Sequence, residues 1–315
     1  MGFHGVYFTF FRYICTTIYN IANDSRAKLG IYTDEPYAIL FVLLQLITLL
    51  TMYIDIREIL GKRMGRRLPK FITRPLEKII HQDEMNTLLA ASKGATPEEF
   101  LKRTFEFFNV THEVEFTTPL DKNERYIFAS NHPFGGLDGM LLVDTLIEEF
   151  GDAGAIVNDL LMNVTYLAPL WIPINKYGKQ SAEKSMRYDN ALSSPTKQIL
   201  TFPAGFCSRY IDGRVQDTEW KSHFIKDAQR YNRKVVPVFV EGTLSKRFYR
   251  IYRLRRFLHI NVNIELVLLV DEMFRQRGNH IKIRIGAPID VEQLEGNRSE
   301  KCNYIRKCAY NLEMK

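Results

Sequence analysis

The chain is poor in the groups that staple or metallate small folds. It has 315 residues but only four cysteines, Cys15, Cys207, Cys302 and Cys308, and no two are spaced as CxxC. A zinc ribbon and a thioredoxin-like motif are thereby excluded, and so few thiols suit a reducing compartment. No His/Cys cluster suggests a metal. There is no G-x-S-x-G elbow, which disfavours a serine hydrolase. Internal repeats and low-complexity tracts are also lacking. What remains is ordinary globular composition, 46% apolar and 25% charged, with a formal net charge of +7. That excludes a mostly disordered chain and leaves ample length for a core.

Charge is missing from one long stretch. Residues 36–54, PYAILFVLLQLITLLTMYI, hold no charged side chain. As a helix they would extend about 28 Å, close to a hydrocarbon core of ~30 Å. The segment lies too far from the N-terminus, and lacks the basic lead, for an ordinary signal peptide. A buried or interfacial helix is the alternative. Residues 57–80 follow with eight basic side chains against two acidic ones. That flank would place the C-terminal side in the cytoplasm if the helix spans, and would bind anionic head groups if it lies flat. Residues 3–21 are apolar too, but Arg12 interrupts them. A second basic run comprises Lys246, Arg247, Arg250, Arg253, Arg255 and Arg256. A solvated face explains such runs equally well, and no nucleic-acid-binding signature accompanies either.

Beyond Pro69 the pattern changes to alternating strands and helices. Residues 75–108 read as helices broken at Lys93-Gly94-Ala95-Thr96-Pro97, with Thr96 as N-cap and Pro97 at the first helical position. Strands are expected at 125–130, 153–157, 171–174, 198–202, 235–240 and 282–285. Helices are expected at 138–150, 161–167, 182–192, 218–231 and 245–258. Residues 264–270 fit a strand or a buried helix. This alternation predicts an α/β fold with a largely parallel sheet flanked by helices, preceded by an N-terminal helical membrane-associated segment. The expected divisions are 1–55 for the apolar segment, 56–110 for a basic helical lead-in, 111–296 for the α/β domain and 297–315 for a tail.

The informative residues lie at strand ends, where ligand sites of open α/β sheets gather. The first block is Asn131-His132-Pro133-Phe134-Gly135-Gly136-Leu137-Asp138-Gly139. Pro133 biases His132 toward extended backbone, and Gly135 and Gly136 permit a sharp turn. Asp138 at a helix start can reach back to set the His132 tautomer, which makes the imidazole a general base. A turn in which both residues merely cap remains the plainer alternative. The second block is Thr201-Phe202-Pro203-Ala204-Gly205-Phe206-Cys207-Ser208-Arg209, where amides around Gly205 and the cation Arg209 can receive an anion. The third, Val236-Pro237-Val238-Phe239-Val240-Glu241-Gly242, ends in a carboxylate that local pairing would also explain.

Taken in order, these blocks resemble the PlsC-type glycerolipid acyltransferases, in the bacterial hemolysin-like subgroup whose motif reads Asn-His-Pro-Phe-Gly-Gly-Leu-Asp-Gly. Leu170-Trp171-Ile172-Pro173-Ile174-Asn175-Lys176-Tyr177-Gly178 falls where that superfamily has its second block. The resemblance covers roughly residues 56–290. It implies an O-acyltransferase in membrane lipid biosynthesis, with acyl-CoA or acyl carrier protein as donor and no metal or other cofactor. His132 would deprotonate a lysolipid hydroxyl and Asp138 would orient it. Asn131 would shape the turn, with Gly135 and Gly136 supporting it, and Arg209 and Gly205 would bind the acceptor anion. Membrane lipids are the implied partners, nucleic acid is not, and the implied place is the cytoplasmic side of the inner membrane. Two departures bear on the acceptor and the dyad. Five residues separate His132 from Asp138 where the superfamily has four, and Ala204 stands where it has Glu. The first expectation for the acceptor is lysophosphatidic acid, with a lyso-aminoacyl lipid as the alternative. A lipid hydrolase or a non-catalytic membrane-binding protein is the contrasting class.

Overall fold

Period-two burial builds the centre of the molecule. In β2 (Tyr126–Ser130) every residue is buried, and successive side chains go to opposite faces of the sheet. Tyr126 and Phe128 join one apolar cluster, and Ile127 and Ala129 the other. A strand hidden on both sides needs helices on both sides. The computed structural model, which describes residues 53–58, 69–158, 161–162, 164–174, 181–259 and 264–313, supplies them.

The strands are β1 (Thr111–Phe116), β2, β3 (Ala153–Asn158), β4 (Trp171–Ile174), β5 (Gln198–Thr201), β6 (Arg209–Ile211), β7 (Arg214–Gln216), β8 (Lys234–Val240) and β9 (His280–Ile285). Seven of them form one sheet in the order β1-β9-β8-β2-β5-β3-β4, while β6 and β7 make a separate hairpin. All pairings in the large sheet are parallel except β8 with β9. The helices are α1 (Lys70–Ile79), α2 (Gln82–Ala91), α3 (Pro97–Phe108), α4 (Leu137–Phe150), α5 (Ala182–Ser193), α6 (His223–Tyr231), α7 (Lys246–Phe257), α8 (Leu269–Arg275) and α9 (Arg298–Asn311). Helices α3 and α4 supply Phe100, Leu101, Leu141 and Leu142 to one face, and α6 and α9 supply Phe224, Ile225, Cys302 and Ile305 to the other.

The expected α/β architecture is present, and its departures have local causes. Thr96 caps α3 through a full capping box with Glu99. The helix expected at 218–231 starts only at His223. The ambiguous 264–270 stretch is a 3-10 turn, Ile264–Leu268, that runs into α8. The described part of 161–167 is turns and 3-10 geometry rather than an α-helix, followed by a 3-10 turn at Ala168–Leu170. Edge strand β1 is new: Glu113 and Glu115 face Lys282 and Arg284 of β9 in register, with ion pairs of 3.0 and 2.9 Å. Residues 297–315, expected as a tail, contain α9, whose Asn297–Glu300 capping box starts it and whose Cys302, Ile305 and Ala309 enter the core.

The apolar segment 36–54 lies outside the described residues except for its last two, and residues 1–35 lie wholly outside them. Among the described residues no helix is long and apolar enough to cross a membrane. The expected boundary at residue 55 falls inside packed structure. Ile54 is buried, its N–H donates to Asn86 Oδ1 at 2.6 Å, and its carbonyl accepts from Asn86 Nδ2 at 2.8 Å. Cys207 and Cys302 are buried free thiols, and Cys308 is a partly exposed one.

Asp144 of α4 gives the fold a pH dependence. It is buried, and burial followed by the nearby Glu148 carboxylate pushes its carboxyl up to about 6 against the pull of Lys102. Between about pH 4 and about pH 6 the folded chain therefore holds a proton that the unfolded chain has lost, so this group lowers stability as pH rises through that window. Asp144→Asn is expected to add about 1–2 kcal/mol near neutral pH, allowing for solvent screening, and nothing below about pH 4. Urea unfolding at the two pH values measures this; equal gains at both would contradict it.

Candidate active site

Strands β8, β2 and β5 lie side by side and run parallel, so their carboxyl ends open on one edge. The three sequence blocks leave from those ends. Asn131 ties two of them together: its Nδ2 donates to the Val240 carbonyl at 2.9 Å, and its Oδ1 accepts from the Val240 N–H at 2.7 Å. The side chain thus extends the β2–β8 ladder beyond its last paired residue.

His132 follows directly. Its Nδ1 lies 3.0 Å from Asp138 Oδ2, and its ring stacks on Phe202 from the second block, with centroids 4.0 Å apart. The His132 side chain is 16% exposed, while Asp138 is fully buried. Three backbone N–H groups also donate to the Asp138 carboxylate: Phe134 at 3.0 Å, Gly136 at 3.1 Å and Gly139 at 2.9 Å. Burial alone would raise this carboxyl. The charge and hydrogen bond of His132, with the N–H groups of Phe134 and Gly139, outweigh burial and hold it below the ordinary carboxylate range. An ionised Asp138 places the imidazole proton on Nδ1 and leaves Nε2 with a lone pair. Nε2 has no partner among the described residues, so this nitrogen is free to take a proton from a hydroxyl.

The extra residue in the His132–Asp138 spacing is taken up by Gly135, whose φ is +74°. A Cβ there would lie 3.0 Å from Leu269 Cδ2 and 3.1 Å from Cys207 Cβ, so both conformation and space require glycine. Gly136 contributes its N–H to Asp138.

Gly242, at the end of the third block, fixes the first. A Cβ on Gly242 would sit 2.0 Å from Cζ of the buried Phe134 ring. Phe134 is also one of the donors to Asp138, so its ring and the dyad move together.

Arg209, expected to receive the acceptor anion, is engaged with partners inside the protein. Arg209 is 3% exposed. Its guanidinium donates to the Cys207 carbonyl at 2.7 Å and to Cys207 Sγ at 2.8 Å, pairs with Glu265 at 3.4 Å, and lies over the rings of Phe248 and Tyr252. Glu265 is itself fully buried and also pairs with Arg255. An acceptor anion would have to displace Glu265 to reach Arg209. The Gly205 N–H closes a turn onto the Phe202 carbonyl at 2.9 Å. Of the second superfamily block, Asn175, Lys176, Tyr177 and Gly178 lie outside the described residues.

The site also contains a residue the sequence did not flag. Asp217 is buried and accepts from the His132 backbone N–H at 3.2 Å, Ser208 Oγ at 2.6 Å and Trp220 Nε1 at 2.9 Å. Its own N–H donates to Tyr310 Oη at 2.7 Å, which links α9 to the His132 turn. Burial pushes its carboxyl up despite these donors. No spacing rule connects Asp217 to His132, 85 positions away; only the following Trp220, three residues on, hinted at a local pair.

An imidazole held by a buried carboxylate beside the Phe202 ring has the geometry to deprotonate a hydroxyl or amine, and among the described residues no group of three or more His/Cys/Asp/Glu side chains could hold a metal. Comparison with known proteins fixes the class. A family model described as Acyltransferase matches residues 59–315. The chain belongs to this acyltransferase family. It is 36% identical over 265 residues to the lyso-glycine lipid O-acyltransferase of Phocaeicola vulgatus, covering 82% of this chain and 95% of that protein. It is 37% identical over 265 residues to the protein of the same name from Bacteroides thetaiotaomicron, covering 82% and 97%. Among solved structures it is similar to the 1-acyl-sn-glycerophosphate (LPA) acyltransferase PlsC of Thermotoga maritima, at 16% identity and a TM-score of 0.43, covering 86% of this chain and 93% of that one. The protein is therefore an acyltransferase.

Three substitutions test this geometry. His132→Ala removes the base and is expected to lower acyl transfer about 10²–10⁴-fold, with Asp138→Asn also severe because it can favour the wrong tautomer; near-normal turnover by a folded His132→Ala protein would refute the dyad. Gly242→Ala forces the Phe134 ring out of its place. Its expected effect is a drop in kcat of at least about tenfold and a loss of about 1–3 kcal/mol in stability, read from steady-state kinetics and thermal unfolding.

Proposed function

We propose that the protein transfers a fatty acyl group from an acyl thioester, on CoA or acyl carrier protein, to the free hydroxyl of a lyso-aminoacyl lipid of the glycine type. His132 Nε2 takes the hydroxyl proton as the oxygen attacks the thioester carbonyl. The tetrahedral intermediate collapses with cleavage of the C–S bond, and the imidazolium returns the proton to the departing thiolate. Asp138 holds the ring and stabilises its charge. As written, the step needs no metal and no covalent acyl-enzyme. The reaction joins a membrane lipid to a cytoplasmic acyl carrier, so we assign it to the cytoplasmic face of a membrane.

The His132–Asp138 pair carries the chemistry. The acceptor is supported by the relatives, two proteins 36% and 37% identical that are named for lyso-glycine lipid. The site supports the same choice. A phosphomonoester acceptor calls for strong anion recognition, which bidentate Arg pairing supplies best. Here Arg209 is committed to Glu265 and Cys207, and Ala204, buried, replaces the polar residue of the resembling motif. Lysophosphatidic acid, the first expectation from the motif, thereby becomes the second choice.

A side-by-side assay decides. Purified protein is given one acyl thioester with either lyso-glycine lipid or lysophosphatidic acid at equal surface concentration, and products are read by mass spectrometry. The expected result is O-acylated glycine lipid in clear excess. Preferential acylation of lysophosphatidic acid would reverse the acceptor assignment but keep the reaction. Fatty acid released without any acylated lipid would instead indicate a hydrolase.

A further inference from the structure

Helix α7 carries six cations and no carboxylate, and the reaction uses none of them. Its buried side is well occupied. Phe248, Tyr249 and Arg255 face inward, with Arg255 paired to Glu265 at 2.9 Å. The outward side is a single stripe. Lys246, Arg250, Arg253, Leu254 and Phe257 are all exposed and recur at the spacing that puts residues on one face of a helix. Phe257 is 78% exposed, and Leu258 just past the helix is 46% exposed. Arg247 is paired, with Asp271 at 3.0 Å. Lys246, Arg250, Arg253 and Arg256 have no carboxylate partner among the described residues. Uncompensated cations and an exposed apolar tip on the same face are the makings of an interfacial helix, whose apolar side chains enter the acyl boundary while its cations meet anionic head groups.

The position of α7 gives that face a use. The helix starts six residues after β8 ends at Val240, on the edge where His132 stands. Its Phe248 and Tyr252 rings pack on the Arg209 guanidinium, at 5.2 and 5.1 Å, and Arg209 holds Cys207, whose Cβ borders Gly135 of the catalytic turn. A second stripe joins it at Asp271. That carboxylate binds Arg247 of α7 and also His81, at 3.0 Å, at the end of α1. Helix α1 exposes Phe71, 67% accessible, together with Lys70, Arg74 and Lys78.

We propose that the exposed stripe of α7, with the linked face of α1, docks the protein on an anionic phospholipid bilayer and so brings the catalytic edge to the lipid surface. The occupant is a bilayer rather than a nucleic acid, because Leu254, Phe257 and Leu258 need an apolar phase that phosphates do not provide. The docking goes beyond the acceptor assignment and is tested without it.

The full chain is floated with vesicles of phosphatidylcholine alone or of phosphatidylcholine mixed with phosphatidylglycerol, neither containing lysolipid. The wild type should bind the anionic vesicles more tightly. Combining Arg250→Glu, Arg253→Glu and Arg256→Glu should weaken that binding on the order of 10- to 100-fold, from the known worth of each basic side chain at an anionic surface. Phe257→Ser should release the part that survives high salt. Both variants should keep the thermal midpoint of the wild type and its acyl transfer to acceptor dispersed in detergent micelles. Equal binding to both vesicle types, or unchanged binding by the triple variant, would overturn the proposal. So would unchanged vesicle binding combined with lost use of an acyl carrier protein thioester, which would make α7 a docking face for that acidic protein.

Discussion

A carboxylate sealed from water must be surrounded by donors or give up its charge. At Asp138 the donors are three backbone N–H groups and one imidazole, and the shape of the active edge follows from supplying them. The turn has to curl back over the first residues of α4, which puts Gly135 at positive φ and brings Phe134 down onto Gly242. The same curl holds His132 in one tautomer, with one ring nitrogen inward and the other free. The orientation of the imidazole and local folding are thus a single arrangement of hydrogen bonds, and a change that loosens one loosens the other.

The turn is held at several further points. Asn131 locks it to β8, Phe202 of the β5 exit stacks on the imidazole, and Asp217 fixes the His132 backbone. Through Tyr310 that last contact reaches α9. The C-terminal helix therefore supports the site as well as the core. Buried partners keep such side chains in one rotamer, which is what the reaction proposed for His132 requires.

Charge is divided between interior and surface in a consistent way. Inside, Glu265 draws Arg209 and Arg255 together beneath the wall of the site. At the sheet edge, Glu113 and Glu115 pair with the cations of β9 and protect an otherwise open strand. On α7, Lys246, Arg250, Arg253 and Arg256 have no carboxylate partner among the described residues and are exposed close to Leu254 and Phe257, where a lipid surface would meet them.

The sequence by itself determined whatever is local. Alternation of strands and helices, the Thr96 cap and the His132–Asp138 pair rest on spacings of a few residues, and short-range sterics and hydrogen bonds enforce them. The Glu113/Glu115 alternation and the Asn297–Glu300 box were equally local signals of β1 and α9, but they are polar patterns and carry little hydrophobic weight. The tertiary structure alone decided the fate of Arg209. Its sequence position beside a strand end suits an anion site, yet Glu265, 56 positions away, takes its charge. Asp217, Gly242 and the burial of Ile54 were settled the same way. Each depends on which distant atoms fill the space around it, and that is known only when the sheet has brought separate strand ends to one edge.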